Sequence, residues 1–461
     1  MKDLNKVIPI SLLLIVGGLV GCSESESIVS SIVIDPLSVT ITEGTTQQYT
    51  ANVLDDHDEV VSDEVIVWSS TDESVASIDA AGLATGLIQG TTTITASIGD
   101  VVASSPLSVE IQYPLGSMIS RPITNPPTEN ASIDLFWADV EGLDVETVVA
   151  NYYADSDGHD IWWDEYEGME IDVSMKSVYT DEDIYFLYEW NDEADSKTRQ
   201  AWFHNADTDT WQQMGKKIPD AFGNPPAYED KFTVFWNMSI NDFESAGCAS
   251  LCHGSSMRTN GDGELADIWH WKRDRTAPVN QIDDKWLDNT NPNGRHSDTG
   301  TGAYSDNVQT LSIDGVDINA PAFWIPERTD YHWILQSEID DGTAKAIVSL
   351  DADNNWVDED GTVLVKSNFT YDSNFVIPSL MGIKPGTDSR GDVSAWHNWA
   401  DGKWTLKVKR SRTTSTVDQD VQFTEIGVPY WFSIGVMNGA AIAHATPGGY
   451  SGTASPLFLG R

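Results

Sequence analysis

Short apolar and β-branched runs, alternating with polar residues, extend over residues 28–111. Clusters of Gly, Asp and Ser separate these runs, a spacing typical of a small β-sandwich. The predicted strands are 31–34, 38–41, 47–51, 65–68 and 92–96.

Residues 131–461 continue the strand pattern with a different composition, since every tryptophan except Trp68 lies here. The predicted strands are 170–173, 184–190, 232–236, 345–350 and 404–410. Long amphipathic helical patterns do not occur, and about 330 residues are ample for one core. We therefore predict an all-β chain, in which a small immunoglobulin-like sandwich precedes a larger antiparallel β-sandwich with long loops.

Two stretches lack a clear periodic pattern. Residues 113–130 hold four prolines and are predicted to be an inter-domain linker. Residues 247–307 are rich in Gly, Asp, Asn and Ser, so we predict that they are mostly loop. Loops on a rigid scaffold are a common place for functional groups.

The N-terminus has the pattern of an export signal. Lys2 and Lys6 precede an apolar run over 7–20, which is shorter than the ~20 residues of a membrane span. The run ends in L-V-G-C at Cys22 and resembles a bacterial lipoprotein signal. This resemblance implies a signal peptide over 1–21, a lipid on Cys22, a tether over 22–27 and an outer-membrane location in the cell envelope. A cleaved signal with an incidental cysteine is the alternative.

The chain is strongly acidic, with 72 Asp and Glu against 26 Lys and Arg and a net charge of −46. Phosphate binding needs clustered Lys and Arg, so a nucleic-acid partner is excluded. With no second long apolar run, membrane contact is expected through the lipid anchor only. The charge favours a basic protein as redox partner.

Cys248 and Cys252 form a pair, and His253 directly follows the second cysteine. The motif C-x-x-C-H marks c-type haem attachment, and this chain has one residue more between the cysteines. In the haem interpretation, both cysteines form thioethers and His253 is an axial iron ligand. A structural disulfide is the alternative, because residues four apart in a helical turn lie ~6 Å apart at Cα and exported proteins favour disulfides.

The first sandwich, over 28–112, resembles a group 2 bacterial immunoglobulin-like domain. The stretches that carry the resemblance are 68–70, 75–78, 82–86 and 90–96. It implies a spacer without catalytic residues.

The domain over 131–461 resembles the haem-binding domain related to the γ subunit of ethylbenzene dehydrogenase and other DMSO-reductase-type enzymes. The stretches that carry this resemblance are Ile133-Asp134 with Trp137, Ile184-Tyr185-Phe186-Leu187 with Trp190 and Asp192, 229–236, 247–254, 266–272, 295–300, Gly402-Lys403-Trp404 with Arg410, and 420–423. The resemblance implies a β-sandwich, related to some carbohydrate-binding modules, that holds one haem for electron transfer. The dehydrogenase subunits hold b-type haem through Met and Lys, which have no counterpart placed here, and the cysteine pair favours c-type over b-type haem.

Further haem contacts are expected near the motif. His270, between Trp269 and Trp271, and Met257 are the candidates for the second axial ligand. For His270, a hydrogen-bonded histidine among core aromatics is the alternative. Trp269 and Trp271 are candidates for packing on the porphyrin, with ordinary core packing as the alternative.

Two functions follow. The first is an electron carrier of the cell envelope, alone or as a subunit of a redox enzyme, with redox proteins as partners and no catalytic residues of its own. The second is a carbohydrate-binding or adhesion lipoprotein, in which tryptophans grip a sugar and Cys248 and Cys252 form a disulfide.

Overall fold

The structure is a computed structural model, and it describes residues 28–150, 166–215, 228–253, 256–371, 376–449 and 452–460. The predicted signal, Cys22 and the tether lie outside the described residues. The chain divides into two compact units, Met1–Tyr113 and Pro114–Arg461. Among the described residues, no helix is long and apolar enough to cross a membrane.

The first unit is built from nine strands. They are β1 (Val29–Asp35), β2 (Val39–Thr42), β3 (Thr46–Gln48), β4 (Thr50–Asp55), β5 (Val67–Ser70), β6 (Ala76–Ile78), β7 (Leu83–Gly86), β8 (Gly90–Ile98) and β9 (Val101–Glu110). They form sheets in the orders β2-β9-β8-β5 and β3-β7-β6, with β1 paired to β4. Alternate residues of β8, such as Ile94 and Ala96, are buried, which is the period-two pattern of a half-buried strand.

Within the described residues, the second unit contains twenty-five strands and two short helices. The strands are β10 (Met118–Pro122), β11 (Gly142–Val149), β12 (Glu170–Tyr179), β13 (Asp183–Asn191), β14 (Trp202–Asn205), β15 (Thr210–Gln213), β16 (Lys231–Asn237), β17 (Cys252–His253), β18 (Ser256–Met257), β19 (Ala266–Lys272), β20 (Asp283–Leu287), β21 (Arg295–Ser297), β22 (Ser305–Asp306), β23 (Gln309–Ile313), β24 (Val316–Ala320), β25 (Phe323–Trp324), β26 (Lys345–Leu350), β27 (Trp356–Asp358), β28 (Val363–Leu364), β29 (Leu380–Met381), β30 (Ser394–Ala400), β31 (Lys403–Ser411), β32 (Pro429–Met437), β33 (Ala445–Pro447) and β34 (Ser455–Leu459). The helices are α1 (Phe243–Ala246) and α2 (Gln336–Asp340), and single 3₁₀ turns cover Leu135–Asp139, Gly247–Leu251, Ala277–Val279, Lys366–Asn368 and Ser389–Gly391.

The main sheet of this unit folds over its own core. Its strand order is β21-β20-β19-β16-β32-β33-β11-β12-β13-β31-β30, while β34 joins β32 to β10 and β10 also pairs with β12. Phe186 of β13 lies 5.6 Å, between ring centres, from both Trp236 of β16 and Trp269 of β19. The half that contains β13 and β31 therefore faces the half that contains β16 and β19. The predicted all-β fold, a small sandwich followed by a larger one, is confirmed.

The predicted linker over 113–130 is wrong in its middle part. Met118–Pro122 forms β10, which pairs in parallel with both β34 and β12, and Met118 and Ser120 are buried. Pro122 is the last residue of this strand, so the proline interrupts little of the hydrogen-bond ladder. The proline content of the segment therefore marks the end of a strand and the following loop.

The predicted loop over 247–307 is also corrected, because β19, β20 and β21 are neighbouring strands of the main sheet. Asp267 and Lys272 gave β19 a polar appearance, yet both are buried. Asp267 faces Arg410 and Lys272 is paired with Asp283. Partners that are distant in sequence thus stabilise charges that would otherwise exclude a core strand.

A second aromatic cluster stabilises the insertions between the strands of the main sheet. Its buried members include Trp202, Trp324, Ile347, Trp356 and Phe369. These residues come from β14, β25, β26, β27 and the 3₁₀ turn before Phe369.

Candidate functional site

Cys248 lies in the 3₁₀ turn Gly247–Leu251, directly after α1. Its side chain is 4% exposed and packs in an apolar cluster with Leu251, Phe235 and Ile268. Burial raises the pKa of the Cys248 thiol to about 11, so the unreacted side chain is a neutral thiol. Gly247 has φ +51°, and a Cβ there would lie 2.5 Å from the backbone oxygen of Thr453, so only glycine fits this approach.

The rest of the motif turns back toward Cys248. The strand Cys252–His253 pairs with Ser256–Met257, which brings Cys252 opposite Met257 in the backbone register. Met257 packs against the apolar cluster that contains Cys248. The side chains of Cys252 and His253 lie outside the described residues.

The cluster of Cys248 packs against the face of the sheet on which His270 lies. We call the outer face the side of β16, β19, β20 and β32 that points away from the tryptophan core. Phe235 of β16 and Ile268 of β19 form its apolar end and touch the cluster of Cys248. Because side chains alternate along a strand, Thr233 and His270 continue the same face.

Trp269 and Trp271 point the opposite way. Their exposures are 1% and 0%, and both belong to the main core, where Trp271 lies 5.2 Å from Trp404 between ring centres. The two tryptophans are therefore separated by the sheet from Cys248 and His270. Their position agrees with the alternative of core packing and leaves them no contact with a ligand on the outer face.

His270 presents an unsatisfied nitrogen. Its Nε2 is buried and has no hydrogen-bond partner among the described residues, and the same holds for Oγ1 of the paired Thr233. Burial, followed by the positive charges of Lys272 and Lys231, holds the pKa of His270 well below its usual range. The ring is consequently neutral at pH 7, the form in which an imidazole binds a metal.

A glycine pairs with Thr233, the residue that pairs with His270 on the neighbouring strand. Gly435 of β32 pairs with Thr233, and a Cβ at Gly435 would lie 2.9 Å from Thr233 Cγ2 and 3.6 Å from His444 Cδ2. A larger side chain would therefore clash here, so the glycine permits the close approach of these residues.

Basic side chains surround His270. Lys272, Lys231, Arg275 and Arg295 all act on its titration. Lys231 is 3% exposed, donates from Nζ to the backbone oxygen of Ala441 at 2.9 Å, and forms no ion pair within the described ranges. Since Lys272 is paired with Asp283 and Arg275 with Glu229, Lys231 is the buried cation of this group without an ion pair in the described ranges, and burial holds its pKa well below the usual range.

Among the predicted site residues, the structure places Cys248 and Met257 in one apolar cluster, and His270 lies on the same face of β19 as Ile268, a member of that cluster. Lys231, Thr233 and Gly435 were missed by the sequence analysis. Recognition of β19 as a strand would have placed His270 and Lys272 on one face, since they lie two residues apart. The contribution of Lys231 depends on the long-range pairing of β16 with β19, for which the sequence carries no local signal.

Comparison with known families adds the decisive observation, a match of residues 134–447 to the family described as ethylbenzene dehydrogenase. The chain belongs to the ethylbenzene dehydrogenase family. Residues 28–109 match the bacterial Ig-like domain of group 2, so both resemblances predicted from the sequence are confirmed. An Ig-like domain of this group, ahead of the ethylbenzene dehydrogenase region, indicates an extracellular or cell-envelope protein.

No curated protein matches the chain. Among solved structures, a family 9 carbohydrate-binding module from Caldicellulosiruptor kristjanssonii in complex with glucose is 7% identical, with a TM-score of 0.26, over 74% of this chain and 96% of that chain. Domains 4 and 5 of the S-layer protein SbsC are 18% identical, with a TM-score of 0.17, and the match covers 18% of this chain and 53% of that chain. The adhesin InvE of Yersinia pseudotuberculosis is 10% identical, with a TM-score of 0.18, over 76% of this chain and 96% of that chain.

Proposed function

We propose that the second unit binds one haem on the outer face and carries electrons between redox proteins of the cell envelope. The observation that supports this most directly is the buried, unpartnered Nε2 of His270 on the face shared by Cys248 and Met257. Membership of the ethylbenzene dehydrogenase family, which is related to a redox enzyme subunit, points the same way. The protein is proposed to be a carrier without bond chemistry of its own.

The residues fit the needs of a haem. His253, together with His270 or Met257, would hold the haem iron, while Cys248 and Cys252 would form thioethers if the haem is c-type. A b-type haem would use the same face without the thioethers. The haem would supply one-electron chemistry, and its axial ligands and surroundings would set its potential.

The protein side chains have separate tasks in this proposal. Burial keeps the His270 ring neutral and therefore able to bind iron. Lys231, which forms no ion pair within the described ranges, would donate a hydrogen bond to a haem carboxylate. Phe235 and Ile268 would cover part of the ring and exclude water.

The remaining proposals concern location and partners. A lipid on Cys22 would fix the protein to the outer membrane, and the Ig-like unit would act as a spacer. A basic redox protein would suit the acidic charge, and the membrane would be contacted through the lipid alone. The side chains around His270 are proposed to bind haem carboxylates and not nucleic acid.

Replacement of His270 tests the site. In full-length protein expressed with haem-maturation machinery, we expect a reduced-minus-oxidised haem spectrum that His270→Ala shifts or weakens. His397→Ala is the matched control, because His397 is also largely buried with an unpartnered Nδ1, but packs against Trp271 on the core side. A colourless native protein, or a spectrum changed by His397→Ala and not by His270→Ala, would contradict the proposal.

The cysteines are tested separately. If thioethers form, haem remains bound to the chain in acidified solvent, and the Cys248→Ala/Cys252→Ala variant releases it. Mass spectrometry of the native protein then shows the added mass of haem. A loss of two hydrogens at the pair would instead establish a disulfide.

A cleft in the second unit favours carbohydrate binding as the other candidate function. The cleft has a volume of about 640 Å³, and Trp211, Gln212, Asn319 and Asn354 are among its lining residues. The Trp211 indole is fixed by a hydrogen bond from Nε1 to the backbone oxygen of Asn354, 3.0 Å long. An aromatic face beside amide groups is a surface suited to a sugar ring. Glycan binding that Trp211→Ala abolishes, in a protein without haem, would select this function.

A further inference from the structure

Three buried carboxylates meet at one end of the tryptophan core. Asp267 of β19, Asp284 of β20 and Asp420, which follows β31, each place one oxygen within 4.8 Å of the others. All three residues are 0% exposed. We call these three residues the carboxylate cluster.

Hydrogen bonds satisfy only part of the cluster. Asp267 Oδ2 accepts from the backbone N–H of Val421 at 3.0 Å and from Trp269 Nε1 at 3.3 Å, whereas Asp267 Oδ1 has no partner in the described ranges. Asp284 Oδ1 accepts from the backbone N–H of Lys285 at 2.9 Å, whereas Asp284 Oδ2 likewise has no partner there. Fully buried oxygens without a donor are costly, so each needs a positive ligand or a proton.

Arg410 is the cation within reach of the cluster. Its guanidinium lies 3.4 Å from Asp267 Oδ2 and 3.4 Å from Asp420 Oδ2. Asp298 and Asp392 lie close enough to add further negative charge. One guanidinium therefore faces five carboxyl groups, which is too little positive charge for all five to be ionised together.

The pKa values of these carboxyl groups reflect the repulsion between them. Burial, followed by the neighbouring carboxylates Asp267 and Asp298, raises the pKa of Asp284 well above its usual range. Burial and the charge of Asp267 raise the pKa of Asp298 to about 8. Either protons or a metal cation must relieve this repulsion at neutral pH.

The ligand atoms of the carboxylate cluster indicate which class of cation it binds. Carboxylate oxygens without His or Cys suit hard divalent ions, and calcium in particular accepts several carboxylates in irregular geometry. A cleft of about 510 Å³ lies next to the cluster, since its lining residues Ser389, Thr414 and Thr416 donate hydrogen bonds to Asp420.

We infer that Asp267, Asp284 and Asp420 bind a calcium ion that joins the two halves of the large sandwich. The ion would link β19 and β20 to the segment after β31, which supplies Asp420. This site goes beyond the proposed electron-transfer function and does not depend on haem. Its role is to stabilise the fold.

Metal content and thermal unfolding of the full chain provide the first test. We expect about one calcium ion per chain by elemental analysis, and a midpoint raised by about 5 °C in 1 mM calcium relative to EDTA. Asp284→Asn should abolish this increase while leaving the midpoint in EDTA unchanged or higher, because it removes a crowded charge. A variant that merely disrupts packing would lower the midpoint in EDTA and retain the calcium increase, which would overturn the inference.

The matched control is Asp56→Asn. Asp55, Asp56 and His57 form the other group of close metal-ligating atoms in the described ranges, but they are exposed or half-buried residues of the first unit. Asp56→Asn should retain both the bound calcium and the thermal increase. Their loss in this variant, or their full retention in Asp284→Asn, would place calcium elsewhere and refute the site.

Terbium luminescence tests the native chain without reliance on any folded variant of the cluster. Trp269 donates to Asp267 and therefore lies beside the proposed ion. Terbium should show emission sensitised by tryptophan excitation, and calcium should displace it. Absence of sensitised emission, or emission that calcium does not displace, would overturn the inference and leave protons as the ligands of the cluster.

Discussion

The ion pair between Glu229 and Arg275 is expected to be a strong determinant of the stability of the second unit. Glu229 is 0% exposed, and its Oε1 accepts from Arg275 Nε at 2.5 Å. Its Oε2 accepts from the backbone N–H of Asp274 at 2.7 Å and from that of Arg275 at 3.2 Å. Glu229→Gln preserves the shape but leaves the guanidinium of Arg275 buried without its counter-charge.

The expected cost is about 3–5 kcal/mol, the range for breaking a buried ion pair from one side. Arg275→Met alone should also destabilise, since it leaves the carboxylate uncompensated. The double variant Glu229→Gln/Arg275→Met should be more stable than Glu229→Gln, because it removes the unpaired buried charge. Urea unfolding followed by tryptophan fluorescence reports on the second unit, since Trp68 is the only tryptophan of the first.

The stabilisation by the Glu229–Arg275 ion pair should change with pH in a defined direction. Burial alone would raise the pKa of Glu229, but Arg275 and the N–H of Asp274 hold it below its usual range. The stabilisation is therefore present at neutral pH and is lost as the pH falls through the lowered pKa. The difference between native protein and Glu229→Gln should shrink below about pH 4, near the pKa of an unfolded glutamate. A cost under about 1 kcal/mol at pH 7, or a double variant no more stable than Glu229→Gln, would refute this reasoning.

Two further predictions address the corrected parts of the sequence analysis. Trp271→Ala should lower the free energy of unfolding by about 4 kcal/mol through loss of core packing. It should leave any haem spectrum of the folded protein unchanged. A spectral shift as large as that of His270→Ala would contradict the assignment of Trp271 to the core. Lys407→Met should cost about 2–3 kcal/mol and expose 123–134 to proteolysis, because buried Lys407 donates to the backbone oxygens of Thr128 and Ser132 at 2.8 and 2.6 Å. Lys409→Met, which removes the partly exposed pairs with Glu129 and Asp183, should cost under about 1 kcal/mol, and equal effects of the two substitutions would contradict the anchoring role.

The long strands could be predicted from sequence because apolar and β-branched residues dominate them. Predicted strands 184–190 and 232–236 lie within β13 and β16. Strand β19 was not predicted because Asp267 and Lys272 flank its aromatic residues. Their stabilising partners, Arg410 and Asp283, are brought to them only by tertiary pairing.

The site was predicted with similar limits. The cysteine motif lies next to an apolar cluster that contains Cys248 and packs against Met257. Trp269 and Trp271 lie in the main core, opposite the face of His270, because neighbouring residues of a strand point to opposite faces. The cations near His270, including Lys231, come from other strands whose register no local pattern reveals.

The parallel pairing of β10 with β34 has a consequence for the synthesis and export of this protein. Ser120 and Leu459 are partners in register, and the N–H of Gly460 donates to the backbone oxygen of Ser120 at 2.8 Å. The opening strand of the second unit therefore lacks this neighbour until the chain has been synthesised through Leu459. Such a distant closure is slow and entropically costly, so an extracellular or cell-envelope chain is expected to be exported before this unit folds.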